Sequence, residues 1–399
     1  MHRSGTSVVT RLLNILGVYL GPDDQMLAAA PDNPKGFWEH REIVEINEAL
    51  LGGAGGNWRE PPRQADMNPA ATAQLAERAR RLIERDFSGV PLWGWKDPRT
   101  CLTLPFWLEL LPSLRLVMQI RHPGEVVRSL ARRDGTSELW GTYRWLTHIR
   151  ASLNNGRCCP RLVVAYEDVM SRPDDQLPRL AEFIGEPGAA RLAGTRARAR
   201  EFLDPRLYRS RAQQPGTEGR GKPASAALAL AGRSYEALRR DEGGAAEEAL
   251  ELVERALALI EPQVYADSTR HREVLADIKA TVPPETPFLL IDAESLGIGK
   301  DLDGRPRIPF PERNGEFCGN PVDDEAAVAE LERQRLLGVS YVVVAWPALW
   351  WLDHYAGFAR HLSTCHQQVL RNDHVAIYMM SGALDGRCSE RAIVGHNTD

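Results

Sequence analysis

The sequence has few cysteines and no long apolar run, and each shortage excludes a class of protein. Six cysteines in 399 residues, two of them adjacent at Cys158 and Cys159 and none in a C-x-x-C pair, provide neither a disulfide framework nor a zinc knuckle. That usage predicts a reducing, cytoplasmic setting. No stretch approaches the roughly 18 apolar residues that span a bilayer, and the first residues lack the charged-then-apolar pattern of a secretory signal. Positive charge is not in excess either. With 49 Lys+Arg against 54 Asp+Glu the formal net charge is −5, so nothing global favours nucleic acid or an anionic membrane, and a basic site must be local. Internal repeats and low-complexity tracts are missing. What remains is ordinary globular composition, 43% hydrophobic and 26% charged, over about two domains by the usual prior of roughly 150 residues each.

Periodicity supplies the elements. Val8, Val9, Leu12, Leu13, Ile15 and Leu16 recur at helical spacing and stop at Gly17, which predicts a helix over residues 5–16 opened by a glycine-containing loop. Further helices are predicted over residues 39–51, after a proline-rich breaker run, and over 70–86. Three short apolar runs, residues 90–95, 114–120 and 162–166, have the length of buried strands and alternate with helical stretches at 124–133, 139–153 and 174–184. Such alternation predicts an α/β fold with a parallel sheet. Residues 213–225 read as a loop, with helices near 225–241 and 244–261 after it. A smaller α/β pattern begins near residue 287, with strands at 288–292, 341–346 and 375–380 and helices at 324–337 and 350–363. The predicted division is residues 1–215, a helical extension over 216–284, a small α/β domain over 285–382 and a polar tail over 383–399. The turn-like stretch at residues 2–7 ought to follow a strand, so either a missing first strand or an upstream start is expected.

Two motifs carry chemistry. The loop Ser4-Gly5-Thr6-Ser7 stands ahead of an apolar helix, where unpaired N–H groups and the helix dipole favour an anion; the same pattern also describes a plain helix start. It is not a Walker A loop, because the first glycine and the lysine of G-x-x-x-x-G-K-[ST] are both missing. The second motif is Arg121-His122-Pro123 at the end of the run 114–120, with Ser129 eight residues after the arginine. An arginine at a strand end and a serine on the following helix can grip a phosphate from two sides, or the arginine can serve a structural ion pair.

Together the two motifs resemble those of the sulfotransferases that use 3′-phosphoadenosine 5′-phosphosulfate. That family carries P-[KR]-S-G-T-[ST] and R-x-P-x-x-x-x-x-S at a similar separation; here they read His2-Arg3-Ser4-Gly5-Thr6-Ser7 and Arg121-His122-Pro123 through Ser129. The resemblance covers roughly residues 1–200 and implies a P-loop-like three-layer parallel sheet with helices on both faces, followed here by the smaller C-terminal α/β domain. It implies that Arg3, Ser4, Gly5, Thr6 and Ser7 wrap the 5′-phosphosulfate, that Arg121 and Ser129 hold the 3′-phosphate, and that no metal is required. The strand before the loop is lacking, and the usual proline is His2.

The resemblance also assigns roles nearer the reaction. Glu39 follows the first helix where glycan and tyrosyl-protein sulfotransferases place a catalytic glutamate, so it is the candidate base; an acid near a helix start is also favoured by the dipole alone. His40 is a second candidate, for base or substrate contact. Lys96, in Trp95-Lys96-Asp97-Pro98-Arg99, matches a segment whose lysine faces the transferring group, and Arg99 is a candidate for acceptor or phosphate; the alternative is a salt-bridged strand exit. Arg220-Gly221-Lys222 is similar to a mobile basic loop of some sulfotransferases. Tyr166-Glu167-Asp168 reads as structural, capping the next helix or pairing with Arg172. The C-terminal domain looks like an accessory module of bacterial glycan-modifying proteins and glycosyltransferases. Its aromatics Trp350, Trp351 and Tyr355 suit stacking on sugar rings or, at helical spacing, a core face. The expected activity is sulfuryl transfer to a hydroxyl of a sugar, glycan or glycosylated metabolite, with glycan-assembly enzymes as implied partners. A P-loop-related small-molecule kinase and a non-catalytic scaffold are the alternatives.

Overall fold

The computed structural model describes residues 1–29, 33, 35–62, 69–203, 223–240, 243–292, 302–313 and 315–380. Arg220-Gly221-Lys222 and the tail over 383–399 lie outside the described residues. The chain divides into two compact units, Met1–Pro262 and Gln263–Asp399. Among the described residues no helix is long and apolar enough to cross a membrane.

In the first unit α1 (Thr6–Ile15), α2 (Arg41–Gly53), α3 (Pro69–Phe87) and α4 (Thr100–Leu110) precede strand β1 (Leu116–Ile120). Helices α5 (Pro123–Asp134) and α6 (Glu138–Asn155) lead to β2 (Arg161–Ala165), and α7 (Tyr166–Ser171), α8 (Pro173–Phe183), α9 (Ala193–Phe202), α10 (Pro223–Arg240) and the first part of α11 (Ala245–Thr281), whose residues after Pro262 belong to the second unit, follow. The two strands pair in parallel from Leu116 opposite Arg161 to Ile120 opposite Ala165. Apolar stripes drive the packing. Val9, Leu12 and Leu16 join Val164 of β2, Leu177 and Leu180 of α8 and Ala199 of α9, while Ile43, Ile46 and Leu50 of α2 pack with Leu82 of α3 and Trp107 of α4.

The run at 90–95 does not form the expected strand. It makes a single parallel bridge, Tyr19 to Trp93, and its aromatics serve a stack instead: the rings of Phe87 and Trp93, Trp93 and Trp95, and Trp95 and Trp107 lie 4.4, 6.0 and 5.0 Å apart. Ring stacking uses apolar composition without needing a ladder. A cavity of about 800 Å³ borders Leu116 and Met118 of β1 together with Val18, Leu20, Trp93 and Trp95.

The second unit contains β3 (Phe288–Ile291), β4 (Arg307–Pro309), the short pair β5 (Glu312–Arg313) and β6 (Glu316–Phe317), α12 (Asp324–Leu336), β7 (Tyr341–Ala345), α13 (Trp351–His354), α14 (Ala356–Cys365), β8 (Gln367–Arg371) and β9 (Val375–Met379). Its main sheet runs β4-β3-β7-β9-β8. The first three strands are mutually parallel, and β9 is antiparallel to both β7 and β8. The fold is therefore α/β, as expected, but this sheet of the second unit is mixed; in the first unit, among the described residues, only the parallel pair β1-β2 represents the larger P-loop-like parallel sheet expected there. The reason for the mixing is local. Asn372 Oδ1 accepts from the N–H groups of His374 and Val375 at 3.1 and 2.9 Å, and so tight a turn can join only antiparallel neighbours.

Helices cover both faces of that sheet. Leu289, Val342, Val344 and Tyr378 pack with Leu331 of α12 and Phe358 of α14; the alternate residues Phe288, Leu290, Val343 and Ile377 pack with Val274 and Ile278. The period of two assigns each residue its face. The helix expected over 350–363 is broken at Tyr355, where Asp324 Oδ1 accepts from the Phe358 N–H at 2.9 Å. Trp351 and Tyr355 are core residues, so neither offers a face for sugar stacking, whereas Trp350 is exposed.

His148 gives this fold a pH dependence. It is buried in α6, its Nδ1 donates to the Arg144 carbonyl at 2.7 Å, and burial lowers its pKa to about 3. The unfolded chain binds the proton first, so stability is lost as pH falls below the unfolded value of about 6.5. His148 should account for about 2 kcal/mol of loss by pH 5. The urea midpoint of His148→Gln should shift less between pH 7 and pH 5 than that of the parent; equal shifts contradict the assignment.

Candidate functional site

The register that sets Ile120 against Ala165 makes Arg121 and Tyr166 the first residues past two parallel strands, at the edge where open α/β sheets take ligands. The loop that opens α1 packs onto both. Arg121 Nη1 donates to the Arg3 carbonyl at 3.1 Å, and the Arg121 guanidinium sits 4.7 Å over the Tyr166 ring. Gln119 Nε2 donates to the Ser4 carbonyl at 3.2 Å. Arg3 has φ 66° and Gly5 φ 81°, so the loop turns through left-handed backbone that an arginine adopts only when its surroundings impose it. At Gly5 a Cβ would lie 2.1 Å from Tyr166 Cδ2. The N–H groups of Gly5, Thr6 and Ser7 have no intrahelical partner at this helix start.

A cavity of about 440 Å³ opens on this loop, within the range of roughly 300–1,000 Å³ typical of ligand sites. Arg3, Gly5, Thr6, Ser7, Glu39, Lys96, Arg121 and Ser129, all singled out in the sequence, line it. The two separate motifs meet directly: Arg3 Nε donates to Ser129 Oγ at 3.0 Å. Arg121 is held from behind, its Nε donating to Glu125 Oε2 at 2.9 Å and its carbonyl accepting from Trp145 Nε1 at 3.1 Å. Ser4 is buried beneath the loop and does not line the cavity.

Glu39 and Lys96 form a hydrogen-bonded ion pair in the wall. Burial pushes the Glu39 carboxyl above its usual range, assisted by Asp97, and pushes the Lys96 ammonium below its own. Both shifts reflect the cost of taking charge out of water, only partly offset by the mutual attraction. Each group therefore exchanges a proton more readily near neutrality than it would in solvent.

The cavity does not include His40 or Arg99. His40 is buried with its Nε2 3.0 Å from Asp86 Oδ2 and its ring against Phe87. Arg99 donates to Asp97 Oδ1 at 2.8 Å and to Glu48 Oε1 at 3.0 Å, and its Nη1 is 4.0 Å from Glu39 Oε2. Asp97 also accepts from Asn47 Nδ2 at 2.8 Å, so Asp97 and Arg99 belong to a buried polar network behind the wall. The salt bridge expected at this point is thus made by Asp97 and Arg99, though no strand precedes it, while Lys96 turns toward Glu39.

Sequence reasoning missed other lining residues: His2, Lys35, Phe37, Arg132, Arg133 and Tyr166. Arg132 and Arg133 lie three and four residues after Ser129, one helical turn away, and that spacing was a readable signal. Tyr166 could not be found without knowing that β2 lies beside β1. Among the described residues the lining holds Arg3, Lys35, Lys96, Arg121, Arg132 and Arg133 against the single acid Glu39. A small, strongly cationic cavity at a helix start is built for a multiply charged anion.

Comparison with protein families identifies this part of the chain, since residues 1–190 match the family model described as "Sulfotransferase family". Residues 1–190 are a sulfotransferase-family domain. Comparisons with curated proteins and with solved structures gave no match. Within the sulfotransferase domain, Glu167 and Asp168 are structural. Glu167 accepts from the His122 N–H at 3.0 Å and the Tyr235 hydroxyl at 2.7 Å, and Asp168 pairs with Arg172 and Arg239.

The loop geometry is directly testable. Gly5→Ala adds a Cβ both against left-handed backbone and into the Tyr166 ring, so it should lower the unfolding free energy by at least about 1 kcal/mol. Urea denaturation measures this, and an unchanged midpoint contradicts the contact.

Proposed function

We propose that the sulfotransferase domain moves a sulfuryl group from 3′-phosphoadenosine 5′-phosphosulfate to a hydroxyl of a sugar, glycan or glycosylated metabolite. The observation that carries this reading is the direct Arg3–Ser129 hydrogen bond beside Arg121, which makes the two distant motifs walls of one cavity. In this reading the N–H groups of Gly5, Thr6 and Ser7 and the Arg3 side chain hold the 5′-phosphosulfate, and Arg121 and Ser129 hold the 3′-phosphate. A guanidinium and a hydroxyl there make that phosphate a discriminating feature.

The bound donor supplies an activated sulfuryl group. Glu39 accepts the proton of the acceptor hydroxyl as the acceptor oxygen bonds to sulfur and the sulfur–oxygen bond to the bridging phosphate oxygen breaks. A carboxylate with a raised proton affinity is the better base for this. Lys96 and Arg3 face the charge that develops on the departing oxygen, and adenosine 3′,5′-bisphosphate is left in the cavity. The cationic wall positions the donor and Glu39 orients the acceptor, so alignment supplies much of the acceleration.

Calorimetric titration should show adenosine 3′,5′-bisphosphate binding at least about tenfold more tightly than ATP or AMP, a preference that Arg121→Ala removes. Equal affinities would favour a kinase-like site. Glu39→Gln should retain donor affinity and lose roughly 100-fold in kcat with labelled sulfate as readout. Unchanged turnover removes Glu39 as the base.

The same pair sets a pH profile. Activity should rise with pH as Glu39 ionises, at a pH above the ordinary carboxylate range, and fall again as Lys96 loses its proton below the ordinary lysine range. The two limbs belong to the coupled pair. Glu39→Gln should abolish the acid limb in residual activity, and its persistence contradicts the assignment.

A further inference from the structure

Three side chains of the second unit converge on one point. Glu332 lies on α12, His361 on α14, and His366 directly follows α14 and precedes β8. Glu332 Oε1 is 2.8 Å from His361 Nε2 and 3.5 Å from His366 Nε2. One donor atom from each residue falls within 4.8 Å of the other two. Arg335 Nε donates to the other carboxylate oxygen, Oε2, at 2.6 Å, which orients the carboxylate with Oε1 toward the imidazoles.

His361 makes a full hydrogen bond to Glu332 at 2.8 Å, whereas His366 reaches the same oxygen only at 3.5 Å. The His366 side chain is 3% exposed, and neither of its ring nitrogens has a hydrogen-bond partner. Its Nε2 faces Glu332 Oε1 at 3.5 Å, too far for a good hydrogen bond. A buried polar group left so costs about 1–3 kcal/mol, and native structures seldom keep one without a reason.

A cation among the three groups supplies that reason. Tetrahedral zinc bonds nitrogen at about 2.0–2.1 Å and carboxylate oxygen at about 2.0–2.2 Å, which places neighbouring ligand atoms about 3.3 Å apart. The 2.8 and 3.5 Å separations bracket that value. Two imidazoles with one carboxylate suit zinc and its neighbours, whereas calcium and magnesium require oxygen ligands. Cys365 is disulfide-bonded and contributes no thiolate. Glu332 and His361 are 23% and 20% exposed, which gives an ion a path in and a coordination position for water.

We propose that Glu332, His361 and His366 form a binding site for a divalent transition-metal ion, zinc by its ligand chemistry, with water completing the coordination. The ion ties α12, the end of α14 and the start of the edge strand β8 together. This site is independent of the sulfuryl-transfer reading.

The experiment uses the full chain without a histidine tag, stripped with chelator and titrated with Zn²⁺ against a chromogenic competitor. One ion per chain is expected, with affinity at least tenfold weaker in each of Glu332→Gln, His361→Gln and His366→Gln. His374→Gln, whose ring pairs with Asp277 at 2.9 Å, should bind as the parent does. Should His366→Gln fail to fold, Glu332→Gln and the visible d–d bands of the Co²⁺-loaded parent decide. Substoichiometric Zn²⁺ uptake, affinity unchanged across the three variants, or Co²⁺ bands lacking the intensity of a tetrahedral site overturns the proposal.

Discussion

Arg121 is buried at the C-terminal end of β1, and a guanidinium removed from water must be satisfied by well-placed partners. Those partners are Glu125 on the following helix, the carbonyl of Arg3 in the loop and the face of Tyr166 at the end of the neighbouring strand. One cation thereby joins three stretches of chain that sequence separates widely. Removing its charge would leave Glu125 buried without this partner and the loop without its anchor. The cavity exists because these elements are tied at this point.

The chemistry of the wall follows from a second buried charge pair. Glu39 approaches the cavity from the segment before α2, and Lys96 from the segment before α4. The network of Asn47, Asp97, Arg99, Thr103 and Trp107 behind them is hydrogen-bonded in sequence, with Asn47 Oδ1 accepting from Thr103 and Trp107 at 2.7 and 2.8 Å. A polar network so densely hydrogen-bonded is rigid. It fixes the backbone that carries Lys96, so the pair meets at a defined place instead of sampling solvent.

Much of the site was legible because its residues belong to short local patterns. The loop at residues 3–7 and the Arg121–Ser129 spacing are each contained within one turn or one strand-to-helix junction, and local patterns survive without knowledge of the fold. The roles of His40 and Arg99 were not legible. Their partners Asp86 and Glu48 are distant in sequence, and nothing in a neighbouring residue reveals which way a buried ring or guanidinium will turn. In the fold, helices with strong apolar periodicity were found nearly to their ends. α4 was hidden by Pro105 and by being apolar nearly all round. β8, reading Gln-Gln-Val-Leu-Arg and largely exposed, has no apolar run to announce an edge strand, and the mixed character of the sheet went unseen with it.

The left-handed turn at Arg3 and Gly5 also has a kinetic meaning. A loop already locked into an uncommon shape by an aromatic ring and a buried cation has little configurational freedom left to surrender when an anion arrives. Such a receptor needs no slow rearrangement before capture, and improvements in its grip are felt chiefly as longer residence. The unusual backbone is then a form of readiness built in at folding, and on the proposed reading release of the spent donor becomes a natural place for turnover to stall.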